Sequence, residues 1–230
     1  MSGPVVAYDH GPSRRRWVAL AFDDGPWTLT SRFVTMLHDE HAVATFFMIG
    51  RQITRGDSRL LRRELRDGDA LGDHTWSHPY LTSTLNVRGQ LNSVVNVIRA
   101  NTGYTPCVFR PPYGAYDPAI VRAARSLGLA TVLWDVDPRD WSLPGVGAIV
   151  QRVVAGAKPG AIVISHDGGG NRSETLAAYP HIIAALRARG YRFVTVPQLL
   201  GFRPVYTRCR RLCYENAVEH VPRGAVVRSG

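Results

Sequence analysis

Two adjacent carboxylates close an apolar run in this chain. Trp17-Val18-Ala19-Leu20-Ala21-Phe22 leads into Asp23-Asp24, and Gly25-Pro26 breaks the pattern at once. A strand ending in paired acids at a turn sets charge at the rim of a sheet. There one acid can bind a cation while its neighbour moves a proton. Further along, His74 and His78 are separated by three residues, which puts both on one face of a helix or tight turn. Two imidazoles and a carboxylate from elsewhere form a set that leaves coordination positions open. A metal needs such positions to hold a water and a substrate oxygen together. A pair of surface histidines is the plain alternative for His-x-x-x-His alone, and the acids after the first apolar run weigh against it.

Three more clusters carry chemistry. His166 follows the buried run Ala161-Ile162-Val163-Ile164-Ser165, where an imidazole titrating near neutrality is well placed as a general acid. Asp135, Asp137 and Asp140 surround Pro138-Arg139 and end at Trp141. Acids in one loop are often simply solvated, but Asp140 beside an aromatic wall can hold an imidazole in its protonated form. Arg110 precedes Pro111-Pro112-Tyr113, and rigid proline backbone fixes the aim of the side chain before it. An arginine so placed can pair with Asp23 and keep it ionised at neutral pH. The remaining histidines, His10, His38, His41, His181 and His220, read as structural.

The elements that must position these residues alternate between β-branched runs and amphipathic runs. Strands are expected at 17–22, 44–49, 70–72, 107–110, 130–134, 161–165 and 192–195. Helices are expected at 30–41, from Asp57 or Ser58 to 66, at 82–102, after Asp117-Pro118, and at 174–189 with a kink at Pro180. This βαβα rhythm predicts an α/β fold, a single-domain irregular (β/α)7-type barrel. In such a barrel chemistry collects at the C-terminal strand ends, and every cluster named above falls at one. The chain divides into an N-terminal segment 1–16, a domain 17–200 and an arginine-rich extension 201–230, expected to be partly ordered near 206–218.

Composition bounds the rest. The chain has 230 residues, 45% of them hydrophobic, enough for a large core. No stretch approaches the roughly 20 apolar residues that span a bilayer. Residues 1–16 show no signal peptide, which points to the cytoplasm, or to secretion or the cell wall if an export signal lies outside this sequence. The net charge is +10 and Lys158 is the only lysine. Attraction to a polyanion is one reading; the spread of the arginines favours a solvated surface, and no aromatic interleaving suggests nucleic acid. Cys107, Cys209 and Cys213 make no disulfide framework and read as free thiols, although Cys209 and Cys213 could pair or bind a metal. The sequence sets no oligomeric state.

Taken together, the five clusters resemble the polysaccharide deacetylases of carbohydrate esterase family 4, the NodB homology domain. The similar segments are Phe22-Asp23-Asp24-Gly25-Pro26, His74-Thr75-Trp76-Ser77-His78, Arg110-Pro111-Pro112-Tyr113, Asp137-Pro138-Arg139-Asp140-Trp141 and Ile162-Val163-Ile164-Ser165-His166-Asp167, in order between Trp17 and Leu200. The resemblance implies Asp23 as general base, with Asp24, His74 and His78 as ligands of a divalent metal, zinc or a similar ion such as cobalt. It implies Arg110 tuning Asp23, Asp140 tuning His166 as the acid, and the Tyr113 backbone amide holding an oxyanion. Trp134, Trp141 and Ile164 would line an acetyl pocket. The substrate would be an N-acetylated glycan: chito-oligosaccharide, peptidoglycan or a related polymer. An O-acetyl (xylan) esterase could use the same site, and a non-catalytic glycan-binding module is the reading from another class. Asp73, where a neutral residue often precedes the first histidine, could act on the metal from behind its ligands.

Overall fold

A computed structural model describes residues 6–203 and 205–206. Cys209, Cys213, His220 and most of the segment expected to be partly ordered near 206–218 lie outside the described residues.

The chain alternates strands and helices: β1 (Ala7–Tyr8), β2 (Trp17–Gly25), α1 (Thr30–Asp39), β3 (Ala44–Met48), α2 (Ser58–Asp67), β4 (Ala70–Asp73), α3 (Val87–Thr102), β5 (Tyr104–Thr105), β6 (Val108–Phe109), α4 (Pro118–Ser126), β7 (Ala130–Val132), α5 (Val146–Gly156), β8 (Ile162–His166), α6 (Ser173–Ala188), β9 (Arg192–Phe193), α7 (Val196–Leu200) and β10 (Val205–Tyr206). The main sheet runs β1-β7-β6-β4-β3-β2-β8, with β9 alongside the start of β2. Its pairings are parallel, as βαβ crossovers require. The two ends of the sheet meet through two isolated bridges, the antiparallel His10↔Ala161 and the parallel Val136↔Val163, the latter flanked by bonds from Val136 N–H to Ile162 O (3.2 Å) and from Ile164 N–H to Val136 O (3.0 Å). The result is a curled, irregular (β/α) barrel, as the rhythm of the sequence predicts. No helix among the described residues is long and apolar enough to cross a membrane.

Side-chain alternation along each strand sorts the core into two layers. Val18, Leu20 and Phe22 point outward, under α1 and α6, and join Phe33, Val34, Leu37, Ile182, Ile183 and Leu186. Phe22 is fully buried, its ring 4.6 Å from that of Tyr179, 5.0 Å from Phe33 and 5.4 Å from Phe46. Ala19 and Ala21 point inward with Phe47, Val108, Val132 and Ile162. The inward series continues upward as Asp23 on β2, Ile164 and His166 on β8, and Arg110 just after β6. Period-2 geometry thus carries an acid, an imidazole and a guanidinium to the top of the barrel interior.

Several elements differ from the expectation, each for a local reason. The strand expected to stop at Phe22 continues to Gly25, because its backbone goes on pairing with β8 at Asp23 and with β3 at Asp23 and Gly25, Asp24 lying in the bulge between them. The helix expected from 82 starts at Val87, where the Asn86 side chain accepts from Gly89 N–H (2.9 Å). Asp57 occupies the N-cap position of α2 as expected, but its carboxylate makes no capping bond and instead accepts from the Thr54 N–H (2.8 Å) and hydroxyl (2.7 Å) one turn earlier. Asp117 does cap α4, accepting from Ile120 N–H at 2.8 Å. Pro180 lies inside α6 without ending it. The sheet begins ahead of Trp17, since Ala7 and Tyr8 pair with β7.

Candidate active site

Asp23 and His166 are register partners on β2 and β8, so their side chains rise side by side. Both carry a buried companion. Arg110 Nη1 donates to Asp23 Oδ1 at 2.8 Å, and its Nη2 donates to Leu133 O at 2.9 Å. The guanidinium has no exposure and lies 4.2 Å from the Phe47 ring centroid and 5.7 Å from that of Trp134. Burial raises the Asp23 carboxyl above its ordinary value, and Arg110 and His166 pull back against it. The pairing of Arg110 with Asp23 expected from the sequence forms. Desolvation outweighs the pair, leaving a carboxylate that accepts a proton more readily than a surface aspartate.

His166 is the mirror case. Its Nδ1 meets Asp140 Oδ1 at 2.8 Å, and Asp140 has no exposure. Burial alone would lower the imidazole; the hydrogen bond and charge of Asp140, with help from Asp23 and Asp24, outweigh it and raise it. Burial would likewise raise Asp140, and the His166 contacts and the Thr175 hydroxyl bring it below its ordinary value. The acid and the imidazole thus stabilise each other in their charged forms.

Asp24, His74 and His78 form the third part. Their donor atoms lie within 4.8 Å of one another. Asp24 Oδ1 is 3.5 Å from His74 Nε2 and 3.3 Å from His78 Nε2, and this buried oxygen has no hydrogen-bond partner. His74 Nδ1 is 2.8 Å from the carbonyl of Arg110, which can only accept, so Nδ1 carries the proton and Nε2 keeps its lone pair. Burial also drives His74 down to about 3, so the ring is neutral. An orphaned carboxylate oxygen facing two imidazole nitrogens fits a divalent cation. Donors at roughly 2.0–2.1 Å around a tetrahedral zinc ion stand about 3.3 Å apart, close to the spacing here.

The backbone under these side chains is unusual. Asp24 (φ 74), Thr75 (φ 69), His78 (φ 60) and Tyr113 (φ 62) all occupy the left-handed region that non-glycine residues avoid. Such conformations persist only where the surroundings over-determine them, and they cluster at functional sites. Asp73 Oδ1 accepts from the Thr75 N–H at 2.8 Å and so supports one of them. It meets that turn rather than the ring of His74, whose Nδ1 faces Arg110.

The other expected residues lie around this centre. The Tyr113 ring lies 4.7 Å from that of His78, with its hydroxyl 3.2 Å from His78 Nδ1, and stacks at 4.0 Å on Tyr80. Trp134 stands beside Arg110, and Ile164 is buried one alternation below His166. Trp141 is half exposed, with the Arg139 guanidinium 5.4 Å from its ring. Asp135 and Asp137 are structural: their carboxylates accept from Ile162 N–H (2.8 Å) and Arg139 N–H (2.7 Å). His10 and His38 keep company with Asp9 and Asp67, away from the centre. Sequence reasoning missed the wall of the cleft, about 570 Å³, where Trp27, Ile49, Arg51 and Gln52 face Asp24 and His78. A turn residue such as Gln52 carries no periodic signal.

The comparisons with known proteins follow the same lines. The family model described as polysaccharide deacetylase matches residues 10–132. The peptidoglycan-N-acetylglucosamine deacetylase of Bacillus cereus is 40% identical over 197 residues, covering 84% of this chain and 92% of the relative. The chitooligosaccharide deacetylase of Azorhizobium caulinodans is 34% identical over 196 residues, covering 78% of this chain and 92% of the relative. The crystal structure of the Bc1960 peptidoglycan N-acetylglucosamine deacetylase superposes with a TM-score of 0.82 at 30% identity, covering 86% of this chain and 94% of that one. With the family model and these relatives matched across most of the chain, the protein belongs to the polysaccharide deacetylases of carbohydrate esterase family 4, which carry the NodB homology domain.

Proposed function

We propose that this protein is a divalent-metal-dependent hydrolase that removes N-acetyl groups from amino sugars in a glycan, with chito-oligosaccharide or peptidoglycan as the substrate class. The observation that carries the reading is the placement of Asp23 and His166, a raised carboxylate and a raised imidazole, on paired residues beside the Asp24–His74–His78 set.

When bound, a divalent cation, zinc by the character of its ligands, supplies Lewis-acid polarisation of the acetyl carbonyl and lowers the pKa of a water. The chain's own residues do the rest. Asp23 has Oδ1 tied to Arg110, which leaves Oδ2, 3.8 Å from His74 Nε2, to take the proton of the attacking water. The Tyr113 amide stabilises the oxyanion of the tetrahedral intermediate. An amine leaves poorly without a proton, and His166 delivers one from Nε2 while Asp140 holds Nδ1. Trp134, Ile164 and Trp141 shape the space for the acetyl methyl.

The test is mass spectrometry on N-acetylated chito-oligosaccharides and peptidoglycan fragments, with acetylxylan in parallel. Loss of acetyl from an amino sugar, abolished by a chelator and restored by zinc, is the expected result. Acetate from acetylxylan alone would replace this reading with the esterase, and metal binding without acetate from any glycan would replace it with a binding module.

A further inference from the structure

Asp24 can serve as a ligand only if the end of β2 holds its left-handed backbone, and that turn is gripped by groups given no role above. Asp167, the residue after His166, is fully buried. Its N–H donates to Asp23 O at 3.1 Å, and Gly168 N–H reaches the same carbonyl at 3.3 Å. The Asp167 carboxylate turns under Gly25 and accepts from the hydroxyl of Thr30, which is also fully buried. Thr30 Oγ1 in turn accepts from Trp27 N–H at 2.7 Å. A Cβ at Gly25 would fall 2.5 Å from Asp167 Oδ2, and one at Gly168 only 2.0 Å from Asp24 O. Both glycines are therefore needed for this close approach. From the other side the Gln52 amide faces two carbonyls, Asp24 O (2.8 Å) and Pro26 O (3.0 Å), which only accept, so the amide orientation that satisfies them is the one with its nitrogen inward.

We infer that Thr30 and Asp167 are positioning residues: their buried hydrogen bond, relayed to the Trp27 N–H, clamps the turn 24–27 so that Asp24 stays aimed at His74 and His78 while Asp23 remains on the inner face. Thr30 links the first turn of α1 to the exit of β8, and the carboxyl-bearing turn is held between them. Partners standing behind metal ligands typically control affinity by 10–100-fold. The inference rests on the metal set proposed above, and on no particular substrate.

Zinc affinity of the full chain, measured by competition with a chromophoric chelator, tests it. Thr30→Val removes the hydroxyl at similar volume and should weaken zinc binding at least about tenfold, whereas Thr30→Ser should stay within about threefold of the parent. Thr30→Ala removes the same hydroxyl without an added branch and serves if the valine variant does not fold. Denaturant unfolding in excess chelator separates global stability from affinity. A folded Thr30→Val or Thr30→Ala that binds zinc as tightly as the parent, whatever its stability, overturns the clamp. A parent that binds no zinc contradicts the metal set itself.

Discussion

Asp140 holds His166 twice. Its Oδ1 meets the ring at Nδ1 (2.8 Å), and its Oδ2 accepts the backbone N–H of the same residue (2.9 Å), with the Thr175 hydroxyl on that oxygen at 2.9 Å. One carboxylate therefore fixes both the aim of the imidazole and the exit of the strand that carries it. Asp140→Asn keeps the volume but removes the charge. Burial then dominates at His166 and lowers it, so the imidazole loses its proton at lower pH. The alkaline limb of the kcat/KM profile should move down, with a loss of roughly 100-fold at neutral pH. A profile that keeps its alkaline limb would contradict the assignment.

Arg110 is a buried cation whose Nε has no partner and whose Nη1 holds Asp23. Replacing it by Met leaves the Asp23 carboxylate buried and uncompensated, a change that costs about 3–5 kcal/mol in comparable pairs. Denaturant unfolding should show that loss together with a fall in kcat. Stability within 1 kcal/mol of the parent, roughly the worth of an exposed ion pair, would mean that Arg110 and Asp23 do not act as a buried pair.

The reach of the sequence can be judged from particular residues. The site was legible because its members stand at strand ends beside apolar runs, and because Ala19-Leu20-Ala21-Phe22 alternates cleanly into Asp23. The strand expected at 107–110 shrinks to Val108–Phe109: Arg110 N–H still donates to Asp73 O at 2.9 Å, but Pro111 and Pro112 beyond it have no N–H with which to extend the ladder. Helix α5 went unnoticed although Val146, Ile149, Val150 and Val153 have helical spacing: its N-cap is Gly145, which offers no side chain to cap it. The Thr30–Asp167 contact spans 137 positions, and no local pattern records a pairing at that distance. The left-handed backbone at Asp24, Thr75 and His78 was equally hidden, because residue type disfavours it and only the surrounding contacts over-determine it.

Asp69 offers a prediction about stability away from the site. Burial raises its carboxyl to about 7, against a hydrogen bond from Ala44 N–H at 2.8 Å that lowers it. In the unfolded chain the group titrates near 4. Stability from this group is complete below pH 4 and is lost as pH rises towards 7, by no more than roughly 4 kcal/mol. Asp69→Asn keeps an acceptor for Ala44 and has no proton to lose. Its stability relative to the parent should therefore improve from pH 4.5 to pH 7.5 in urea unfolding. Parallel curves would show that Asp69 does not titrate in this window.

Metal removal should separate catalysis from folding. The donor set caps the barrel interior, whose apolar layer is complete beneath it. A chelator should therefore abolish acetate release while leaving the far-ultraviolet circular dichroism unchanged. Zinc at 100 times its Kd should then restore activity and add about 2.7 kcal/mol of stability. Unfolding on chelation would assign the ion a structural role instead.

The most direct measurement of the central claim is single-turnover acetate release by zinc-loaded Asp23→Asn on an N-acetylated chito-oligosaccharide, with bound zinc quantified in the same sample. Asp23 as proton acceptor predicts zinc bound as in the parent and acetate release reduced by at least roughly 100-fold. Turnover equal to that of the parent would contradict it.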